Sequence, residues 1–172
     1  MRDSAYRFFP LVEHDDFGLT LHPFDLAVNK MLALVGRMEP RDWIDLLQCH
    51  QCIQRLGFLA WAGCGKDPGL SPRFILEQAG RSAHYSQEEI DKLEFAGPSP
   101  DAAVLSLQWQ AMLGEAHNIV GTLPAEEAGK CVLTSAGALF SGGPVELCHA
   151  MTKGELRFHE GALRGVLPQM AP

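Results

Sequence analysis

No apolar run in this sequence of 172 residues approaches the roughly 18–20 needed to cross a bilayer. The N-terminal stretch MRDSAYRFFP also lacks the hydrophobic segment of a secretory leader, so the expected location is cytoplasmic and no membrane contact is expected. A disulfide framework is lacking: Cys49, Cys52, Cys64, Cys131 and Cys148 are odd in number and scattered, which fits reduced thiols better. Positive charge is in deficit, with 14 Lys and Arg against 21 Asp and Glu and a net charge of −7. General nucleic-acid binding needs a basic face and is therefore not expected, although one local basic pocket is compatible with this balance.

Several chemical signatures are missing too. There is no G-x-S-x-G, and the seven histidines show no partnered arrangement. Gly63-Cys64-Gly65-Lys66 lacks the spacing of a phosphate loop and carries Asp67 where a hydroxyl is needed, so a turn is the better account. Cys49-His50-Gln51-Cys52 is a single pair where a structural zinc site usually has two. It falls late in an expected helix, where cysteines three apart are commonly core residues and no helix N-terminus lowers a thiol pKa.

What is present describes a globular chain, 47% hydrophobic and 20% charged, long enough to bury a core without staples. The expected class is α+β and mainly α-helical. Residues 5–21 predict two short strands joined by a polar turn, His14 to Gly18. A helix follows from Pro23, with Asp25 in its first turn, an apolar stripe from Phe24 to Val35, and Gly36 as terminator. A second helix starts at Pro40, the tight link implying an antiparallel or steeply crossed pair.

Residues 57–69, GFLAWAGCGKDPG, are expected to be irregular after Trp61. Ser71-Pro72 opens a helix to Ala79, the box Ser86-Gln87-Glu88-Glu89 opens another to Leu93, and Ala102 to Leu123 is the longest. A hairpin centred on Ser135–Gly137, a helix from Gly143-Pro144 and a second hairpin turning at Glu160-Gly161 complete a β-β-α-β-β pattern. The expected division is a helical body with the N-terminal strands over 1–123 and a small α+β module over 124–172.

The stretch Asn29 to Leu47, NKMLALVGRMEPRDWIDLL, sets charge into an apolar helical pair. Lys30 and Arg37 are seven apart and share a face, as do Asp42 and Asp45 on the next helix. The short turn would bring them to one polar seam. Lysine as a point charge and arginine as a fork are the usual tools for phosphate, whereas the structural alternative is an inter-helix salt-bridge cluster. The residues leave both open.

FDLAVNKMLALVGRMEPRDWIDLL resembles a segment of the minimal nucleotidyltransferase-like proteins of the AbiEii type, polymerase-β-like toxins of bacterial toxin–antitoxin pairs. The likeness rests on Lys30, Ala33-Leu34, Arg37, Arg41-Asp42 and Asp45-Leu46, and covers about two dozen residues. It implies catalytic roles for Lys30 and Asp42, with Arg37, Arg41 and Asp45 as nucleotide-binding or supporting positions. The family's glycine-rich helix start and D-x-D strand, which hold Mg²⁺, have no counterpart before Lys30; only Asp15-Asp16 stands there.

The resemblance therefore implies the C-terminal portion of such a protein, truncated or reduced. It would be inactive by itself or able only to bind a nucleotide or partner. No metal site is expected in this chain, and Mg²⁺ with a nucleoside triphosphate would act only if the missing motifs were supplied. An exposed N-terminal strand edge would favour a homodimer or a partner protein. The alternatives are a protein–protein interaction module with a purely structural charged hairpin, and a small-molecule enzyme with its site in the loop at 57–69.

Overall fold

The structure, a computed structural model, describes residues 6–81 and 85–163. It is an α+β, mainly helical fold, as expected, with seven α-helices and three two-stranded antiparallel sheets among the described residues. None of these helices is long and apolar enough to cross a membrane.

Helix starts follow the local chemistry. α1 (Pro23–Arg37) has Pro23 in its first turn, and His22 Nδ1 accepts the Phe24 N–H at 3.2 Å. α2 (Pro40–Cys52) likewise starts on proline. α3 (Leu56–Lys66) is followed by α4 (Pro72–Arg81), where Ser71 Oγ accepts the Phe74 N–H. The full capping box of Ser86 and Glu89 opens α5 (Gln87–Asp91). Asp101 caps α6 (Ala102–Thr122), and α7 (Pro144–Lys153) closes on Gly154 at φ 67°.

Gly36 does not end α1. The helix runs to Arg37, and Met38 adopts the left-handed conformation at φ 53°, its N–H bonded to Leu34 O at 2.9 Å. Pro40 holds Glu39 extended, so the reversal falls on the residue before it. Tyr85 Oη donates to Met38 O at 2.7 Å and fastens the bend.

The second correction is α3. Its glycines are helical rather than irregular, and every residue from Leu56 to Gly63 is buried. A Cβ at Gly57 would stand 2.8 Å from Ile119 Cβ of α6, and one at Gly63 would be 3.1 Å from Ile75 Cδ1 of α4. Small residues thus let α3 run through the centre of the fold, touching α1, α4 and α6. The same finding shortens the expected loop at 57–69 to the turn at 67–69.

Strand pairing also departs from the local pattern. The N-terminal stretch forms three strands, β1 (Tyr6–Arg7), β2 (Val12–His14) and β3 (Gly18–Thr20), with the break around Pro10. β2 and β3 form the expected hairpin. Near the other end lie β4 (Cys131–Thr134), β5 (Leu156–His159) and β6 (Ala162–Leu163). β5 and β6 do not make a hairpin: β5 pairs with β4, and β6 pairs with β1. One edge of the N-terminal strand is thus covered from within the chain. After β4 the chain turns at Gly137, φ 87°, and returns only as a single bridge, Leu133 to Leu139.

One hydrophobic cluster unites these parts. It holds Phe8, Trp43, Leu59, Trp109 and Ile119, and also Cys131, Val132 and Leu147 from beyond residue 124. Trp43 and Trp109 meet edge to face at 6.1 Å, joining α2 to α6.

Candidate functional site

The α1–α2 bend brings Lys30, Arg37, Asp42 and Asp45 together, as their spacing predicts. Asp42 has no exposed side-chain surface. Arg37 grips it as a fork, Nε to Oδ2 at 2.7 Å and Nη2 to Oδ1 at 3.0 Å, and Lys30 Nζ lies 3.4 Å from Oδ1. Lys30 Nζ also pairs with Asp45 Oδ2 at 2.5 Å. Arg41 stays outside the cluster, exposed. Asp42 sits in the first turn of α2, where the helix end adds favourable charge.

Burial alone would raise the Asp42 carboxyl. The hydrogen bonds and charge of Arg37, then those of Lys30, outweigh it and hold the group below its ordinary value of 3.8. Burial likewise works against a charged Lys30, but Asp45 and then Asp42 prevail and raise its pKa. Because the folded Asp42 binds its proton less readily than the unfolded chain, its contribution is fully present above about pH 4 and fades as pH falls below that. Asp42→Ala should lower stability by about 1–3 kcal/mol, toward the lower end because both cations are partly hydrated. Urea unfolding across pH 2–6 should show the acid-side slope reduced in the variant.

A second charged site was not foreseen from the sequence. Lys66, at the end of α3, is 2% exposed and lies 2.8 Å from Asp25 Oδ1, which is 0% exposed. Lys66 Nζ also donates to Asn29 Oδ1 at 2.9 Å and reaches Asp25 O at 3.4 Å. Asp25 Oδ1 and Oδ2 accept the N–H groups of Phe8 and Phe9, both at 3.0 Å. The pair therefore ties the segment after β1 to α1 and α3. The only sequence signals were Asp25 in a first turn and Lys66 after an apolar run, and no period relates them.

A third cluster lines a cleft of roughly 300 Å³ between the α2–α3 corner and Ser141, with His50, Cys52, Gln54 and Arg55 on its walls. Glu115 of α6 receives Arg55 Nη1 at 2.5 Å, and His50 Nε2 lies 3.5 Å from its other oxygen. His50 Nδ1 accepts the Leu56 N–H at 3.1 Å, which assigns the ring proton to Nε2. Burial lowers the His50 pKa, outweighing the nearby Glu115 charge, which would raise it, and Arg55 adds to the lowering. With both nitrogens engaged, His50 is a joint between helices and is not poised as a base.

Cys49 and Cys52 do not form a reactive pair. Cys49 is half-buried and Cys52 exposed, so the pair is split between core edge and solvent. Burial pushes Cys49 and Cys64 up to about 11, far from the thiolate form at neutral pH. Among the described residues, no group of three or more His, Cys, Asp or Glu side chains is arranged to hold a metal ion.

Comparisons of the chain with protein-family models, curated proteins and solved structures returned no match. The class that fold and site define is a mainly helical α+β protein with a closed ion-pair seam, and function must be argued from the site itself.

Proposed function

We propose that the α1–α2 charged hairpin is a scaffold, and that this chain acts by binding a protein partner rather than by catalysis. The saturation of Asp42 carries the proposal: the carboxylate is fully buried and both its oxygens are taken by cations of the chain itself. A carboxylate that must bind Mg²⁺ or accept a proton needs an open face, and this one has none. The seam instead fixes the angle of the bend, in concert with Tyr85 on Met38.

A nucleotide-binding role of the AbiEii kind is the second reading. It is favoured by the partial exposure of Lys30 (36%) and Arg37 (51%), with exposed Arg41 beside them. These leave a cationic rim that a triphosphate would engage. Calorimetry of the full chain with ATP, CTP, GTP and UTP in the presence of Mg²⁺ separates the two. The scaffold reading expects no heat from any of the four, with Lys30→Ala and Asp45→Ala changing stability alone. Saturable binding of one nucleotide, abolished by Lys30→Ala in a folded protein, would overturn it.

A further inference from the structure

The β2–β3 hairpin stands apart from the polar and apolar order of the rest. Every residue from Glu13 to Leu19 is exposed, and among the described residues the two strands pair with each other and with no third strand. An isolated two-stranded hairpin is marginal in water, and unpaired strand edges are usually guarded by lysine or covered. No Lys or Arg occurs between Arg7 and Lys30, while Glu13, Asp15 and Asp16 all lie on this hairpin.

Its tip nevertheless has defined geometry. Gly18 takes φ 65°, as a three-residue hairpin loop requires. His14 Nδ1 accepts the Asp16 N–H at 3.2 Å, and the His14 ring lies 4.9 Å from that of Phe17. Phe17 is presented 75% exposed, and Leu19, opposite Glu13 in the register, is 57% exposed. Two large apolar side chains on an ordered projection are thus framed by three carboxylates. Aromatic anchors that fill a pocket, with charges at the rim, are the pattern of a protein–protein contact.

Resting on the binding role proposed above, we infer that this hairpin is the docking element, and that its partner is a protein offering an apolar pocket rimmed by Lys or Arg. Phe17 and Leu19 enter the pocket; Glu13, Asp15 and Asp16 meet the basic rim. Charge complementarity selects this occupant over a second copy, because two such hairpins on a chain of net charge −7 would bring carboxylates face to face. The same carboxylates oppose an anionic lipid surface.

The test uses the ¹⁵N-labelled full chain and two synthetic amphipathic peptides, one of leucine and lysine and the other of leucine and glutamate. The lysine peptide should shift the amide resonances of residues 13–19 and bind at least about tenfold tighter than the glutamate peptide. Phe17→Ser should weaken it by about tenfold or more, and the triple variant Glu13→Gln, Asp15→Asn, Asp16→Asn should remove its salt dependence. All four positions are exposed, so the remaining spectrum reports an intact fold. Absence of binding, shifts located elsewhere, or equal binding by Phe17→Ser would overturn the inference. So would self-association by sedimentation that Phe17→Ser abolishes, or partition of the hairpin onto phosphatidylcholine vesicles. Silence here with silence toward nucleotides sinks the hairpin role and leaves the scaffold standing, whereas nucleotide binding abolished by Lys30→Ala overturns the scaffold whatever the peptides show.

Discussion

Lys66→Met should lower the unfolding free energy by about 3–5 kcal/mol, because it leaves the Asp25 carboxylate buried without its counter-charge. In the native protein every polar atom of this pair is occupied: Lys66 faces Asp25, Asn29 and a backbone carbonyl, and Asp25 faces two backbone N–H groups. Methionine matches the length of the lysine stem and keeps most of its packing, so the loss reports charge rather than a cavity. Two further measurements make the assignment specific. Hydrogen exchange should accelerate at the Phe8 and Phe9 amides, which Asp25 holds, before it does so at Trp43 or Trp109 in the helical core. In a double-mutant cycle, Asp25→Ala with Lys66→Met should cost clearly less than the sum of the single losses. Strict additivity would show that the two charges do not act as a pair.

Gly65→Ala is the second large effect. A Cβ at Gly65 would fall inside the contact distance of the Gly129 carbonyl oxygen, 3.1 Å from Gly129 C and 3.3 Å from Phe8 Cζ. Two of those three obstacles are backbone and cannot rotate away. The segment around Gly129 is itself pinned to α3, Gly129 N–H to Trp61 O at 3.0 Å and Trp61 Nε1–H to Glu127 O at 2.9 Å. Gly129 lies at φ 87°, a conformation that favours glycine, so the turn that lays its carbonyl on α3 also depends on a glycine. The substitution should cost the upper part of the roughly 1–3 kcal/mol seen for overpacking, read by urea or thermal unfolding. Gly36→Ala is the matched control: it lies near the end of α1 with nothing close to its Cβ, and should be neutral or stabilising by up to about 1 kcal/mol. A loss at Gly36 equal to that at Gly65 would refute the close-approach account.

These two predictions rest on features that the sequence disclosed poorly, and the contrast with the features it disclosed well is physical. Pro23, Pro40, Ser71-Pro72, Ser86 with Glu89, and Gly143-Pro144 each mark a helix start correctly, because a proline in the first turn or a capping side chain acts within a few residues of itself. The meeting of Lys30, Arg37, Asp42 and Asp45 was equally legible, since helical spacing and a two-residue link decide it. Whether the seam was open or closed was not legible. That depends on Trp43 and Tyr85 packing beside it and on the burial of Asp42, none of which spacing encodes.

The glycines of α3 show the other failure. Read locally, Gly57, Gly63 and Gly65 signal a loop, because glycine loses most entropy on entering a helix. In the fold a neighbour stands too close for a Cβ at Gly57, where it is Ile119, and at Gly65, where it is the Gly129 backbone, while Ile75 leaves only a tight fit at Gly63. Packing energy from a helix buried from Leu56 to Gly63 outweighs its poor propensity. In the same way, Glu160-Gly161 suggests the turn of a local hairpin over 156–166, of which 164–166 lie outside the described residues, yet β5 and β6 find partners far away in β4 and β1.

By itself, then, the sequence determined the helical class, the caps, the β2–β3 turn and the convergence of four charges at the α1–α2 bend. All of these are set by interactions between neighbours along the chain or across one short link. Only the tertiary structure decided that Asp42 is closed to solvent, that a glycine-rich segment is the central helix, and that Asp25 and Lys66, 41 residues apart, are buried against each other. Burial is a property of what lies across the core, and no period along the chain records which residue that will be.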